Sequence, residues 1–155
     1  MDFKRLSDKY ESIVSKGTTA YNKGYHIQIK ANYSISFGIR TGSEFFNCYS
    51  NTLINDLDWH HVVSVWDGTK LRIYIDGSID ISKDIGEKTI ADDQKSLEIG
   101  DHYPINNNHK FALDGILEEM RFSNIDYNAE WISTEYNNQN DPSSFYSVGP
   151  EVSNP

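Results

Sequence analysis

Glu118 and Glu119 are neighbours in the run Asp114-Gly115-Ile116-Leu117-Glu118-Glu119-Met120, and paired carboxyls are the working parts of glycoside hydrolysis. Retaining chemistry needs those groups about 5–5.5 Å apart across the scissile bond. Adjacent residues of a strand point to opposite faces, so this pair diverges unless a bulge re-aims one member. Asp114 and Glu118 share a face but stand two pleats apart. The pair reads instead as a structural acceptor of backbone N–H groups or as part of a cation site, with Glu118 and Glu119 as the candidate metal ligands. His60 and His61 diverge for the same reason and cannot grip one metal, and His26, His102 and His109 show no ligand spacing with them. The run DHYPINNNHK, residues 101–110, offers different chemistry. Asp101, His102, Tyr103 and Asn106 to Asn108 supply an acceptor, an aromatic face and amide groups, the mixture that sugar hydroxyls and pyranose faces require. Asn and Pro also serve turns for their own reasons. Trp66, beside the turn residues Asp67-Gly68, is a second platform, although packing against Lys70 across the hairpin accounts for it equally. The candidate ligand contacts are thus Asp101, His102, Tyr103, Asn107 and Trp66.

These residues must be carried by strands. DWHHVVSVWDGTKLRIYIDG, Asp58 to Gly77, alternates Trp59, His61, Val63 and Val65 with a turn and then Leu71, Ile73 and Ile75, which predicts a β-hairpin. With both apolar sets odd-numbered, the expected pairs are Val65 with Leu71, Val63 with Ile73 and His61 with Ile75, through a loop of three or five residues. Trp59 and His61 are read as core, and Val62, Ser64, Trp66, Lys70, Arg72 and Tyr74 as a half-wet opposite face. A second hairpin runs over residues 24–40, with Ile29 opposite Tyr33 and Asn32 as the left-handed residue of a three-residue loop. Further strands are predicted at 12–15, 45–50, 79–81, 97–100 and 145–148. A long strand over 111–122 changes phase, which a bulge at Glu118-Glu119 would reconcile. The one helix, Asn128 to Asn137, is capped by Asp126 or Asn128. About ten short strands and one helix predict an all-β, antiparallel two-sheet jelly-roll sandwich. Residues 1–10 are expected as a loose start, 11–149 as the domain and 150–155 as a tail.

The 155 residues suit one domain. Fourteen basic against 23 acidic residues give a net charge of −9, and no basic cluster is present, which excludes a nucleic acid partner. No apolar run is long enough to insert in a bilayer. Cys48 stands alone and reads as a buried thiol, so no internal disulfide forms. The segment MDFKRLSDKYESIV has no apolar signal core, so work outside the cell implies a parent chain or a removed export signal.

WHHVVSVWDGTKLRIYIDG, then LEIG, then FALDGILEEMRFSN and AEWISTEYNNQNDPSSFYSVG together resemble the concanavalin A-like, laminin G-like jelly rolls of prokaryotic surface proteins. The resemblance covers about Ile13 to Gly149. It implies a non-catalytic recognition or adhesion module, often for glycans, at the cell surface or outside the cell, with glycan or a surface protein as partner and in some members a structural calcium. Three departures matter: strands that normally precede IVSKG are missing, the usual Asp-Glu pair is Glu118-Glu119, and the N-terminal contributors to a calcium site have no counterpart. Uncovered sheet edges then predict self-association. A structural spacer without a small ligand is the alternative function, and a glycoside hydrolase a third.

Overall fold

The computed structural model describes residues 1–5, 10–17, 23–92, 94–101 and 111–145. Among the described residues ten strands form two antiparallel sheets. The first has the order β10-β1-β6-β7-β8, built from β10 (Gly115–Glu118), β1 (Asp2–Arg5), β6 (His60–Trp66), β7 (Lys70–Ile75) and β8 (Ser78–Asp84). The second has the order β5-β4-β3-β2-β9, from β5 (Phe45–Leu53), β4 (Ser34–Thr41), β3 (Lys23–Ile29), β2 (Glu11–Lys16) and β9 (Leu97–Ile99). Helix α1 (Ala129–Asn140) and a short α2 (Pro142–Phe145) follow. Ile29, Ile35, Phe37, Ile39 and Cys48 of the second sheet meet Val62, Leu71, Ile73 and Ile75 of the first, and this is the sandwich core. Along one side the sheets are joined by Asp80, whose carboxylate accepts from the N–H of Thr52 at 2.9 Å, and by Lys83, whose ammonium donates to the Asn47 carbonyl at 2.8 Å.

The central hairpin forms where the alternation places it, but in a different register. Val62 faces Ile75, Ser64 faces Ile73 and Trp66 faces Leu71, with Asp67 to Lys70 as a four-residue turn. The turn is held by the Asp67 carboxylate, which accepts from the N–H groups of Thr69 at 2.8 Å and Lys70 at 2.7 Å. The even-numbered residues of β6 therefore share the inner face with Leu71, Ile73 and Ile75. Val63 and Val65 turn outward with Tyr74, where Ile132 of α1 covers them. Both faces of this hairpin are dry, so the one-residue slip carries no hydrophobic penalty and the turn chemistry decides the register. His61 is buried as expected, but on the helix side, and Trp59 is exposed.

Elsewhere the strands fall close to expectation. In the second hairpin Ile29 faces Ile35, and the three-residue loop shifts by one, so that Tyr33 rather than Asn32 takes the left-handed conformation (φ 69°). The Asn32 side chain is engaged instead, accepting from the Ser34 hydroxyl at 2.8 Å. The first residues are not loose: Asp2–Arg5 pair with both β10 and β6. The long strand predicted at 111–122 is confined to Gly115–Glu118, because Glu119 adopts φ 49° and ends it. That one left-handed residue also accomplishes the phase change, since Leu117 and Met120 both pack on the core. The Asn128 side chain caps α1 by accepting from the Trp131 N–H at 2.9 Å. The strand predicted at 145–148 begins as the end of α2 and otherwise lies outside the described residues.

Candidate functional site

The inner face of the second sheet takes the odd-numbered residues of β3 and β4, so pleating turns the even-numbered ones outward. Ladder pairing sets them in three rows: Gly24, Arg40 and Phe45; His26, Gly38 and Asn47; Gln28, Ser36 and Tyr49. No described helix packs on this face. At its centre the Arg40 guanidinium lies 4.7 Å over the Phe45 ring and donates to His26 Nδ1 at 3.3 Å. Gly38 makes this closeness feasible, since a Cβ there would stand 2.7 Å from both the His26 and the Phe45 rings. One row along, Tyr10 donates its hydroxyl to Gln28 Oε1, and the Lys30 ammonium sits 4.2 Å over the Tyr10 ring and 5.8 Å from the Tyr49 ring. Asn47 donates its amide to the Tyr49 hydroxyl.

His26, Gln28 and Arg40 are buried beneath this layer, whereas the rings of Phe45 and Tyr49 are 44% and 46% exposed. Burial pushes the pKa values of both Lys30 and Arg40 down from their ordinary values. Among the described residues neither cation has a carboxylate within ion-pair distance, in a chain of net charge −9. The face thus offers two exposed rings and the partly buried Lys30 ammonium, with the Arg40 guanidinium buried beneath the Phe45 ring, neither cation having a described counter-charge, and amide and hydroxyl groups beside them. Such a surface can stack on the apolar face of a sugar ring while its polar groups meet hydroxyls or a carboxylate.

The residues singled out from sequence are distributed differently. Asp101 follows β9 at the β2 edge of this same sheet, its carbonyl accepting from the Ser15 hydroxyl at 3.4 Å. His102, Tyr103 and Asn107 lie outside the described residues. The two described ends of their loop are anchored on β2, Gly100 donating its N–H to the Ile13 carbonyl and Phe111 accepting from the Ser12 N–H, both at 2.8 Å. Phe111 also meets Tyr10 edge-on at 4.9 Å. Trp66 belongs to the other sheet and packs half-buried toward the sandwich interior, opposite Leu71 rather than Lys70, so it is not joined to Asp101. Sequence reasoning missed the outer face because it followed the apolar alternation. Its complement, His26-x-Gln28-x-Lys30 with Phe45-x-Asn47-x-Tyr49, carried the signal.

Among the described residues Glu118 and Glu119 are not joined by further ligands into a calcium site. Glu119 is held at 3.0 Å by the Arg121 guanidinium, which also pairs with Glu135, so a cation already occupies the position. Among the described residues no three His, Cys, Asp or Glu side chains form a metal-ligand group. His60 and His61 face opposite ways. The His60 ring lies 3.0 Å from Asp76 and 2.9 Å from Asp56; the Asp76 hydrogen bond, opposed by burial and helped by Asp56, raises its pKa to about 9. His61 lies under α1, its ring centroid 5.9 Å from that of Tyr136, and burial lowers its pKa to about 4. The 3.9 Å to Glu135 is too long for a hydrogen bond, so His61 is neutral and makes no ion pair there.

Residues 3–133 match the family described as the Concanavalin A-like lectin/glucanases superfamily. The chain belongs to that family, and its sandwich is a jelly roll of the concanavalin A type. Solved structures with the same fold include the CBM40 of the Ruminococcus gnavus IT-sialidase (TM-score 0.72, 14% identity, covering 88% of this chain and 79% of that one). A heptameric SAP-like pentraxin from Limulus polyphemus has a TM-score of 0.65 at 18% identity, covering 87% and 66%. Domains LG4-5 of the mouse laminin alpha1 chain have a TM-score of 0.60 at 18% identity, with 74% of this chain spanning about a third (32%) of that fragment. No curated protein matches. Among the described residues no helix is long and apolar enough to cross a membrane.

Proposed function

We propose that this domain is a non-catalytic recognition module that binds carbohydrate through the outer face of its second sheet, as part of a larger extracellular or cell-surface protein. The observation that carries this reading is the pair of exposed rings, Phe45 and Tyr49, beside Lys30 and above the buried Arg40. Exposed aromatic rings flanked by cations lacking a described counter-charge favour a saccharide bearing a carboxylate over a neutral one. The same fold in the Ruminococcus gnavus sialidase CBM40 has been solved bound to alpha2,3 sialyllactose, which supports the ligand class without placing its site on this chain. The reading as a binding module rather than a hydrolase is supported by Glu119, whose carboxylate is paired with the Arg121 guanidinium at 3.0 Å rather than with a second carboxyl as hydrolysis needs.

A glycan array tests this, probed with the wild-type domain and with Phe45→Ala, Tyr49→Ala and Arg40→Lys, in calcium and in chelator. Signals confined to acidic saccharides and lost in all three variants are the expected result. Trp66→Ala and Asp101→Asn serve as comparators for the positions first indicated by sequence, and loss in these two with retention in the other three would move the site away from this face. Silence of the wild type across the array would leave a spacer as the function.

A further inference from the structure

Two cations belong to the outer face of the second sheet, and they are held in opposite ways. Arg40 is 6% exposed, and its guanidinium is engaged within the fold, 4.7 Å from the Phe45 ring centroid and donating to His26 Nδ1 at 3.3 Å. A ligand resting on the exposed side of Phe45 has the ring between itself and that guanidinium. Arg40 therefore supports a platform and is not presented to what lies on it.

Lys30 stands where β3 ends and the hairpin loop begins. Its N–H donates to the Ser34 carbonyl at 2.9 Å, which fixes the root of the side chain one outward position beyond Gln28. The ammonium lies 4.2 Å over the Tyr10 ring and 5.8 Å from the centroid of the Tyr49 ring. Tyr10 is held in turn by donating its hydroxyl to Gln28 Oε1. Rings attract an ammonium without accepting its three N–H donors as an anion would, and drawing a charge out of water without a counter-ion is costly. Burial is the cause of the lowered Lys30 pKa, and among the described residues no carboxylate pairs with it, in a chain of 23 acidic residues. The Tyr49 ring beside it is 46% exposed, and its hydroxyl accepts from the Asn47 amide. Phe45 lies four residues back on the same face of β5, in an unbroken ladder with β4. Four residues of extended strand span about 13 Å. That is longer than one sugar ring, so a ligand touching both rings is an oligosaccharide, with Asn47 beneath its middle.

We infer that Lys30, and not Arg40, is the residue that selects an acidic saccharide: its ammonium receives the carboxylate of a sugar stacked on Tyr49, and the neutral sugars of the same ligand run along β5 to Phe45. The inference rests on the carbohydrate face proposed above and gives that face a direction, with the acidic sugar at the Tyr49 end and the neutral ones toward Phe45. The carboxylate supplies the acceptor and the counter-charge that Lys30 lacks among the described residues, and a charge-assisted hydrogen bond is the strong kind. A neutral sugar at the same place leaves the ammonium as it is and gains only the stacking.

The test is isothermal titration of the domain with alpha2,3 sialyllactose and with its methyl ester, which differ only in the charge of the carboxyl group. The wild type is expected to prefer the acid by at least about tenfold. Lys30→Met keeps the length of the stem and removes the charge, and it should collapse that ratio to near one. Lys30→Arg should restore most of the preference. Arg40→Lys should weaken acid and ester together and leave the ratio standing. Phe45→Ala should cost sialyllactose more than it costs the acidic sugar alone, offered as its methyl glycoside. A ratio that survives in Lys30→Met, or that collapses in Arg40→Lys instead, overturns the inference, and so does an equal loss of both ligands in Phe45→Ala. Wild-type binding of acid and ester with equal strength overturns it as well, while leaving the carbohydrate face in place. Binding of neither by the wild type removes that face, and the inference with it.

Discussion

The outer faces of the two sheets are built on the same pleated scaffold and have opposite fates. On the first, Val63, Val65 and Tyr74 are roofed by Ile132, which is fully buried, and the Tyr127 and Trp131 rings stack at 3.9 Å beside them. On the second, the equivalent positions carry His26, Gln28, Ser36 and Arg40, and no described helix covers them. A helix lid converts one face into a second small core, so its residues contribute to stability. The face over which no helix is described satisfies polar groups laterally, Gln28 through Tyr10 and Arg40 through His26, and leaves the rings of Phe45 and Tyr49 exposed. The family architecture allows both, and the side chains at alternate positions decide which occurs.

The contrast can be broken most severely at the lid. Ile132→Ala should cost about 3 kcal/mol, the usual range for a buried aliphatic truncated to alanine, read as a shift of the urea midpoint. A cost below about 1 kcal/mol would mean that α1 is an ornament on the sheet. The glycines give the next largest effects. Gly77 has φ 74°, and a Cβ there would stand 2.8–3.0 Å from the Tyr136 ring and its Cβ, under the helix. Gly77→Ala should lower stability by about 2 kcal/mol. Gly38→Ala should also lower stability, because its Cβ must displace the buried His26 ring as well as the exposed Phe45 ring, and unlike Gly77→Ala it should abolish sugar binding. Equal loss of sugar binding at both glycines would erase the distinction between the helix-covered face and the other.

The adjacent histidines sharpen the picture by pH. His60, raised to about 9 by Asp76 and Asp56, stabilises the fold fully below its unfolded pKa near 6.5, and that contribution fades as pH rises through 9. His61, lowered to about 4 by burial under the helix, acts in the opposite window: its unfolded form takes up a proton first, so stability is lost as pH falls from about 6.5 toward 4. Urea titrations of His60→Gln should therefore show a penalty of about 1 kcal/mol at pH 6 that shrinks by pH 9.5. The pH dependence of His61→Gln should be flatter than wild type between pH 6.5 and 4.5. The smallest stability effect is expected at Tyr49→Ala, within about 0.5 kcal/mol, since the ring is 46% exposed.

Much of the fold was legible because turns and apolar alternation agree wherever one face carries polar side chains. β3 and β4 illustrate this: the odd residues Ile27, Ile29, Ile35, Phe37 and Ile39 pack inward as read. β6 was misregistered because both of its faces are apolar, and periodicity alone cannot say which valines meet the second sheet and which meet Ile132. The strand Asp2–Arg5 was illegible because its polar composition hides a role that depends on partners distant in sequence, β10 and β6. The candidate face escaped for a related reason. Arg40 and Phe45 come together only through the ladder, and Gly38, which permits their stacking, looks unremarkable in the sequence. Asp101, by contrast, lies at the edge of the sheet that carries that face.

The most direct test of the central claim, that recognition belongs to the outer face of the second sheet, is a ¹⁵N chemical-shift titration of the domain with a sialylated lactose. Saturable shifts concentrated at His26, Gln28, Arg40, Phe45, Asn47 and Tyr49, with β6, β7 and α1 unmoved, are the predicted result. Shifts centred on Trp66, Tyr127 and Trp131, with the β3–β5 face silent, would contradict it.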